Sequence, residues 1–198
     1  MVGQIDMAVL EFFQRLHTPV LDKLMILFTN LGEYGFIWIL IGIILFVSPG
    51  IPGRKQKTER KHSRTFLTGS RMTGIMVLSA LLIGLIVGNG ILKNVIARPR
   101  PCWRITDIPM LIQIPNDYSF PSGHTLAAFE TVSVLLLRKH KMAVPALVLG
   151  ILIACSRMYL FVHYPTDILA GLILGLIIGC FTVWVYRKMW KEKANGAV

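Results

Sequence analysis

The chain has 198 residues, 54% hydrophobic and 16% charged, with 21 Lys and Arg against 10 Asp and Glu for a formal net charge of +11. A charged share below the usual globular value of about 25% and a mean hydropathy of +0.62 exclude a disordered chain or a coiled coil and indicate a polytopic membrane protein. Three scattered cysteines (Cys102, Cys155, Cys180), with no CxxC spacing, exclude a disulfide scaffold and a thiolate metal site.

In chain order, residues 4–16 predict a helix lying in the membrane interface. Ile5, Val9, Phe12, Phe13 and Leu16 form one stripe, with Asp6, Glu11, Gln14 and Arg15 elsewhere. No basic region precedes a sufficient apolar run, so this is not a signal peptide. Apolar stretches follow at 25–48, 72–96, 122–138, 142–162 and 167–187, close to the roughly 20 residues a membrane helix requires. Asn30, Gly32 and Glu33 interrupt the first, and a sixth crossing upstream stays open. The expected fold is an all-α helix bundle with five or six transmembrane helices. The chain reads as one domain over 1–198, its chemistry in a core at 72–187.

Fourteen of the 21 basic residues lie between the apolar stretches: Arg54, Lys55, Lys57, Arg60, Lys61, Arg64 and Arg71; Arg138, Lys139 and Lys141; Arg187, Lys188, Lys191 and Lys193. All three groups fall on one side of the membrane, which the positive-inside rule makes the cytoplasm. Orientation accounts for the positive charge, and nucleic-acid binding is set aside. The opposite side receives the connections 97–121 and 163–166, with Lys93, Arg98, Arg100, Arg104 and Arg157 in or beside them. Basic residues on that disfavoured side need a reason other than topology.

Three stretches there carry chemistry. Lys93 ends an apolar run, and Arg98-Pro99-Arg100-Pro101 follows, with prolines that stop the helix and turn the arginines off its axis. Three cations within eight residues repel one another unless an anion lies between them. Guanidinium forks match phosphate oxygens, although lipid-headgroup attraction also suits such residues. Next, Phe120-Pro121-Ser122-Gly123-His124 opens a helix, whose N-terminal N–H groups attract anions. A simple cap explains Pro121 and Ser122 but not His124, for which a packing role also stays open. Finally, Ser156-Arg157 is followed by His163 and Asp167 around Pro165. An arginine in an apolar helix needs an anionic partner. A carboxylate on one imidazole nitrogen fixes the tautomer and sharpens the other as a nucleophile; an Asp cap beside a solvated histidine is the alternative. On an ideal helix Arg157 and His163 lie about 120° apart, so a bend or the reach of the arginine must join them.

Lys93 six residues before Arg100-Pro101, then Pro121-Ser122-Gly123-His124, then Ser156-Arg157 five residues before His163 and three more before Asp167, resembles the three motifs of the type 2 phosphatidic acid phosphatase superfamily of membrane lipid phosphate phosphatases. The small size resembles bacterial members acting on undecaprenyl diphosphate, phosphatidate or phosphatidylglycerophosphate. The resemblance implies that His163 is a nucleophile forming a phosphohistidine, oriented by Asp167. It makes His124 the acid for the leaving group and then the base for water. Lys93, Arg100 and Arg157 would bind phosphate with Ser122 and Gly123, the last two through backbone N–H groups; spacing favours Arg100 over Arg98. It implies neither metal nor other cofactor.

The expected protein is therefore a lipid phosphate phosphatase of the plasma membrane, undecaprenyl diphosphate its first candidate substrate, with an extracytoplasmic site and membrane lipids as its other partners. A lipid phosphotransferase and a non-catalytic lipid-binding or transport protein are the alternatives. Glu130, about two turns below His124, is expected either to pair with a site cation or to be protonated and hydrogen-bonded. Gly171, Gly175 and Gly179 predict close helix packing inside the bundle. Trp103, Tyr118, Trp184 and Tyr186 suit interfacial anchoring.

Overall fold

A computed structural model describes residues 3–48 and 69–195, and every regular element among them is helical. Helix α1 spans Gln4–Gln14. Thr18 caps α2 (Pro19–Leu31), its hydroxyl accepting from the Leu21 N–H, and Pro19 occupies a first-turn position whose N–H would be unpaired anyway. A short 3-10 turn at Glu33–Gly35 precedes α3 (Phe36–Val47). The single stretch expected at 25–48 is therefore two helices, bent by 46°. Tyr34 and Gly35 take left-handed φ values of 50° and 70°, which a continuous right-handed helix cannot carry.

Helix α4 begins at Ser70–Gly84, widens into a π segment at Leu85–Leu92 and closes with Lys93–Ile96. Ala97, left-handed at φ 46°, ends it. One turn at Pro101–Arg104 forms α5, followed by α6 (Gly123–Leu137), α7 (Ala143–Tyr159) and α8 (Pro165–Asn195). Arg54, Lys55, Lys57, Arg60, Lys61 and Arg64 lie outside the described residues. The stretches Ser70–Arg104 and Pro165–Trp190 are long and apolar enough to cross a membrane, and the bent pair α2 and α3 gives a third; α6 and α7 are shorter apolar helices.

Helix α6 is the hub. Residues around its whole circumference, from Leu126 to Leu135, are buried among α4, α7 and α8. Lipid tails are as apolar as leucine, so close backbone contact and interhelical hydrogen bonds must hold such helices together. The three glycines of α8 supply the contact: a Cβ on Gly171 would stand 2.7 Å from the Ser122 carbonyl, on Gly175 2.8 Å from that of Leu126, and on Gly179 2.6 Å from the Ser133 Cβ. Ser133 donates to the Leu176 carbonyl (3.3 Å), and Tyr186 meets Ser79 (2.9 Å), so Tyr186 ties helices together instead of anchoring at an interface. Ile39, Ile43, Leu85, Ile173, Ile177 and Trp184 point outward.

Asp6 gives α1 an inward anchor off its apolar stripe. It is buried and accepts from the Thr166 N–H (3.1 Å), the Thr166 hydroxyl (2.9 Å) and Arg98 (2.7 Å), while Ile5 and Phe12 are exposed. Helix α1 thus turns Asp6 and Leu10 inward, at the start of α8. Among the described residues Glu130 pairs with no cation: it is buried against Gly84, where a Cβ would stand 1.7 Å from its Oε1, and that oxygen has no hydrogen-bond partner.

Candidate active site

At the end of α4, the left-handed turn at Ala97 and the two prolines release Arg98 and Arg100 from the helix in opposite directions. Arg100 turns inward and is 2% exposed. Its Nε donates to the Asp117 carbonyl (2.7 Å), Nη2 to Asp117 Oδ1 (2.6 Å), and Nη1 to the Val162 carbonyl (2.7 Å) and to His163 Nε2 (3.0 Å). Lys93, also buried, donates to the other carboxylate oxygen, Oδ2 of Asp117. The anion that the crowded cations require is thus a residue of the chain itself, one that sequence spacing did not single out. Burial opposes ionisation of Asp117, but the hydrogen bond from Lys93 and the charges of Arg100 and Lys93 outweigh it and hold the carboxyl far below its ordinary range.

Arg157 departs from expectation. Among the described residues no carboxylate lies within ion-pair reach of it; the Thr29 hydroxyl of α2 accepts from Nη1, and Nε is buried with no partner among them. A buried guanidinium carrying an unused donor is costly unless an anion completes it.

The end of α7 brings Arg157 and His163 together. Phe161 at φ 58° reverses the chain, its N–H donates to the Met158 carbonyl (3.0 Å), and Val162 and His163 both donate to the Arg157 carbonyl (3.2 and 3.3 Å). This Schellman-type closure, with phenylalanine where glycine is usual, replaces the ideal-helix separation. Arg100 is always a donor, so His163 Nε2 accepts and the ring proton sits on Nδ1. Burial first, then the charges of Arg100, Arg157 and Lys93, place the imidazole well below its ordinary pKa and keep it neutral.

Asp167 does not hold His163 by a direct hydrogen bond, because Nδ1 to Oδ2 is 3.6 Å. Ser119 stands between them: its hydroxyl donates to Asp167 Oδ2 and lies 3.4 Å from His163 Nδ1. The Tyr164 N–H (2.9 Å) fills Oδ2 further, and Arg98 Nη1 reaches Oδ1 at 2.5 Å. Arg98 also stacks over the Tyr164 ring at 4.1 Å and bonds Asp6, so it belongs to the carboxylate side of the site, apart from Lys93 and Arg100.

At the start of α6, Ser122 caps the helix, accepting from the Thr125 N–H (3.4 Å) and hydroxyl (3.1 Å). Its own N–H donates to the Asp167 carbonyl (3.1 Å), which removes it from the expected set of phosphate-facing N–H groups and makes it a tie to α8. Gly123 packs on the half-buried Asn89 of the π segment, where a Cβ would lie 2.8 Å from its buried Oδ1. His124 lies against Gly32, whose Cβ would meet the ring at 2.9 Å. The break between α2 and α3 therefore faces the site. An apolar groove of about 240 Å³ runs between α4 and α8, walled by Leu92, Pro121, Ala170 and Ile173.

Lys93, Arg100, Ser122, Gly123, His163 and Asp167 gather at one end of the bundle, with Arg157 against Thr29 and His124 against Gly32 at the α2–α3 break. Sequence spacing missed Asp117, Ser119, Asp6, Thr29 and Asn89. Among the described residues, no three His, Cys, Asp or Glu side chains form a group able to hold a metal ion.

Known proteins share this framework. The sequence matches the PAP2 superfamily over residues 73–191. It is 33% identical over 163 residues to the undecaprenyl-diphosphatase BcrC of Bacillus subtilis (strain 168), covering 82% of this chain and 74% of that one. It is 29% identical over 178 residues to the undecaprenyl-diphosphatase of Sulfolobus acidocaldarius, covering 88% and 77%. The transmembrane PAP2-type phosphatidylglycerolphosphate phosphatase from Bacillus subtilis superposes with a TM-score of 0.67 at 26% identity, over 92% of this chain and 85% of that one.

Proposed function

The chain belongs to the PAP2 superfamily and is a membrane lipid phosphatase, and from that premise we propose that it hydrolyses a lipid diphosphate through a phosphohistidine on His163. Undecaprenyl diphosphate is the preferred substrate, in keeping with the names of two relatives; phosphatidylglycerophosphate is second, in keeping with the structural neighbour. The observation that carries the mechanism is the two-sided setting of His163: its lone pair at Nε2 faces the guanidinium of Arg100, and its Nδ1 proton faces Ser119 and Asp167.

Nε2 attacks phosphorus as the bond to the leaving oxygen breaks, and His124 gives that oxygen its proton. The imidazolium that forms is stabilised through Ser119 and Asp167. His124 then takes a proton from water, whose oxygen displaces Nε2 and releases phosphate. Lys93, Arg100 and Arg157, with the N–H of Gly123, hold the phosphoryl oxygens where charge develops. This cation set does the electrostatic work of a metal, so the reaction needs none. The lipid tail enters sideways along the groove, since Leu92 and Pro121 immediately precede Lys93 and Ser122 and Ala170 lies one turn beyond Asp167.

The protein lies in the plasma membrane with the bundle crossing five or six times, α1 in the interface and the site on the extracytoplasmic side, a reading supported by the basic residues gathered on the opposite connections. The test is phosphate release by the detergent-purified full chain in EDTA, across undecaprenyl diphosphate, undecaprenyl phosphate, phosphatidate and phosphatidylglycerophosphate. Release that survives EDTA and vanishes in His163→Ala, with acid-labile phosphate trapped on the wild-type protein, supports the reading. Release that EDTA abolishes, or that His163→Ala retains, rejects it.

A further inference from the structure

Asp117 has the chemistry of a phosphate group in miniature. Its two carboxylate oxygens divide between Lys93 and Arg100, as two phosphoryl oxygens would, and both cations are almost wholly buried while the Asp117 side chain is 54% exposed. The backbone around it is fastened at three points. The Pro115 carbonyl accepts from Trp103 Nε1 (3.1 Å), the Asp117 carbonyl from Arg100 Nε (2.7 Å), and the Ser119 N–H donates to the Arg98 carbonyl (2.8 Å). The carboxylate can therefore leave the cations by side-chain rotation into solvent while the loop and the Arg100 anchor stay in place.

We propose that Asp117 is a specificity-determining residue, an internal anion that a lipid phosphate must displace and that keeps singly charged phosphodiester lipids out of the site. The inference rests on the reading of Lys93 and Arg100 as phosphate binders. A membrane presents many phosphodiester headgroups for each lipid carrying a terminal phosphate, and buried cations left open would hold those headgroups unproductively. A phosphodiester carries one negative charge, as Asp117 does, and must also bring its second ester substituent against the buried cations. A tethered carboxylate beside them wins that exchange. A terminal phosphate or diphosphate carries more charge and more oxygens, enough to satisfy Lys93, Arg100 and the unused Nε of Arg157 together.

The test measures orthophosphate binding by titration calorimetry on the purified full chain, and inhibition of undecaprenyl diphosphate hydrolysis by phosphatidylglycerol in mixed micelles. Asp117→Asn and Asp117→Ser, both at an exposed loop position, are compared with wild type, each with and without Lys93→Met. Both single variants are expected to bind orthophosphate about ten- to a hundredfold more tightly, the exchange of charge-assisted hydrogen bonds no longer opposing it, and to become inhibited by phosphatidylglycerol at levels that leave wild type active. Lys93→Met should cancel the gain. Lys93-dependent binding that Asp117 replacement leaves equal or weakens overturns this inference and leaves the phosphate site standing. Orthophosphate binding that ignores Lys93 overturns both.

Discussion

Nη1 of Arg100 lies 3.0 Å from Nε2 of His163, so a permanent cation faces the lone pair proposed to attack phosphorus. The contact fixes the tautomer and opposes protonation. In 15N-histidine-labelled protein, the His163 ring, assigned by its loss in His163→Asn, should show Nδ1–H and an unprotonated Nε2, and should stay neutral as pH falls through about 6.5, the ordinary histidine value. The sign for stability follows. With the folded pKa lowered, the unfolded chain binds more protons below about pH 6.5, so acidification there costs stability, and less so in His163→Asn. Chemical unfolding of both proteins between pH 7 and 5 checks it.

Ser119 is completely buried and touches both His163 and Asp167. Its replacement by alanine should lower kcat by about ten- to a hundredfold, the value of a hydrogen bond to a charged group, with little change in KM. Threonine should restore part of the rate. Steady-state kinetics on the three proteins decides this, and a rise in KM alone would reassign Ser119 to substrate binding.

Arg98 joins Asp6 to Asp167 across three separate segments. Arg98→Met should destabilise by about 3–5 kcal/mol, because it strands two buried carboxylates. Adding Asp6→Asn should then cost less than it does alone, with a coupling of about 0.5–3 kcal/mol. Urea unfolding of the four proteins in micelles measures that coupling; additive losses would show that the two residues act separately.

A Cβ at Gly171 would stand 2.7 Å from the backbone oxygen of Ser122, which cannot move aside as a side chain could. Gly171→Ala should therefore lose about 1–3 kcal/mol by overpacking, despite the helix preference of alanine, and should lose activity as Asp167 shifts from Ser122. Gly3→Ala, with nothing near its added carbon, is the control. Thermal unfolding and turnover of the two variants separate packing from general helix effects.

The helical class and the motif residues were legible because hydropathy period and residue spacing are local properties. The break in the first apolar stretch was visible in Asn30, Gly32 and Glu33, but its use was not: that Gly32 accommodates His124, and Thr29 meets Arg157, depends on how α2 packs against α6 and α7. Asp117 is the instructive omission. The repulsion among Lys93, Arg98 and Arg100 calls for an anion, and spacing alone does not show that a carboxylate of the chain itself, 24 residues from Lys93, meets Lys93 and Arg100. Ser119 carries no motif signal, since a loop serine becomes a relay only when its backbone is pinned to Arg98. Amphipathic periodicity sets Asp6 off the apolar stripe but cannot see its buried pairing with Arg98 and Thr166.

The bond between Asp6 and Thr166 spans 160 residues, and that between Arg98 and Asp167 spans 69. During synthesis α1 must wait for α8 to enter the membrane before Asp6 finds Thr166 and Arg98 finds Asp167. A nascent chain halted before α8 lacks Asp167, the carbonyl that receives the Ser122 N–H, and the glycine face that seats α6. The site is therefore complete only once α8 is in place, and a chain that stops short of α8 lacks the Asp167 side of it.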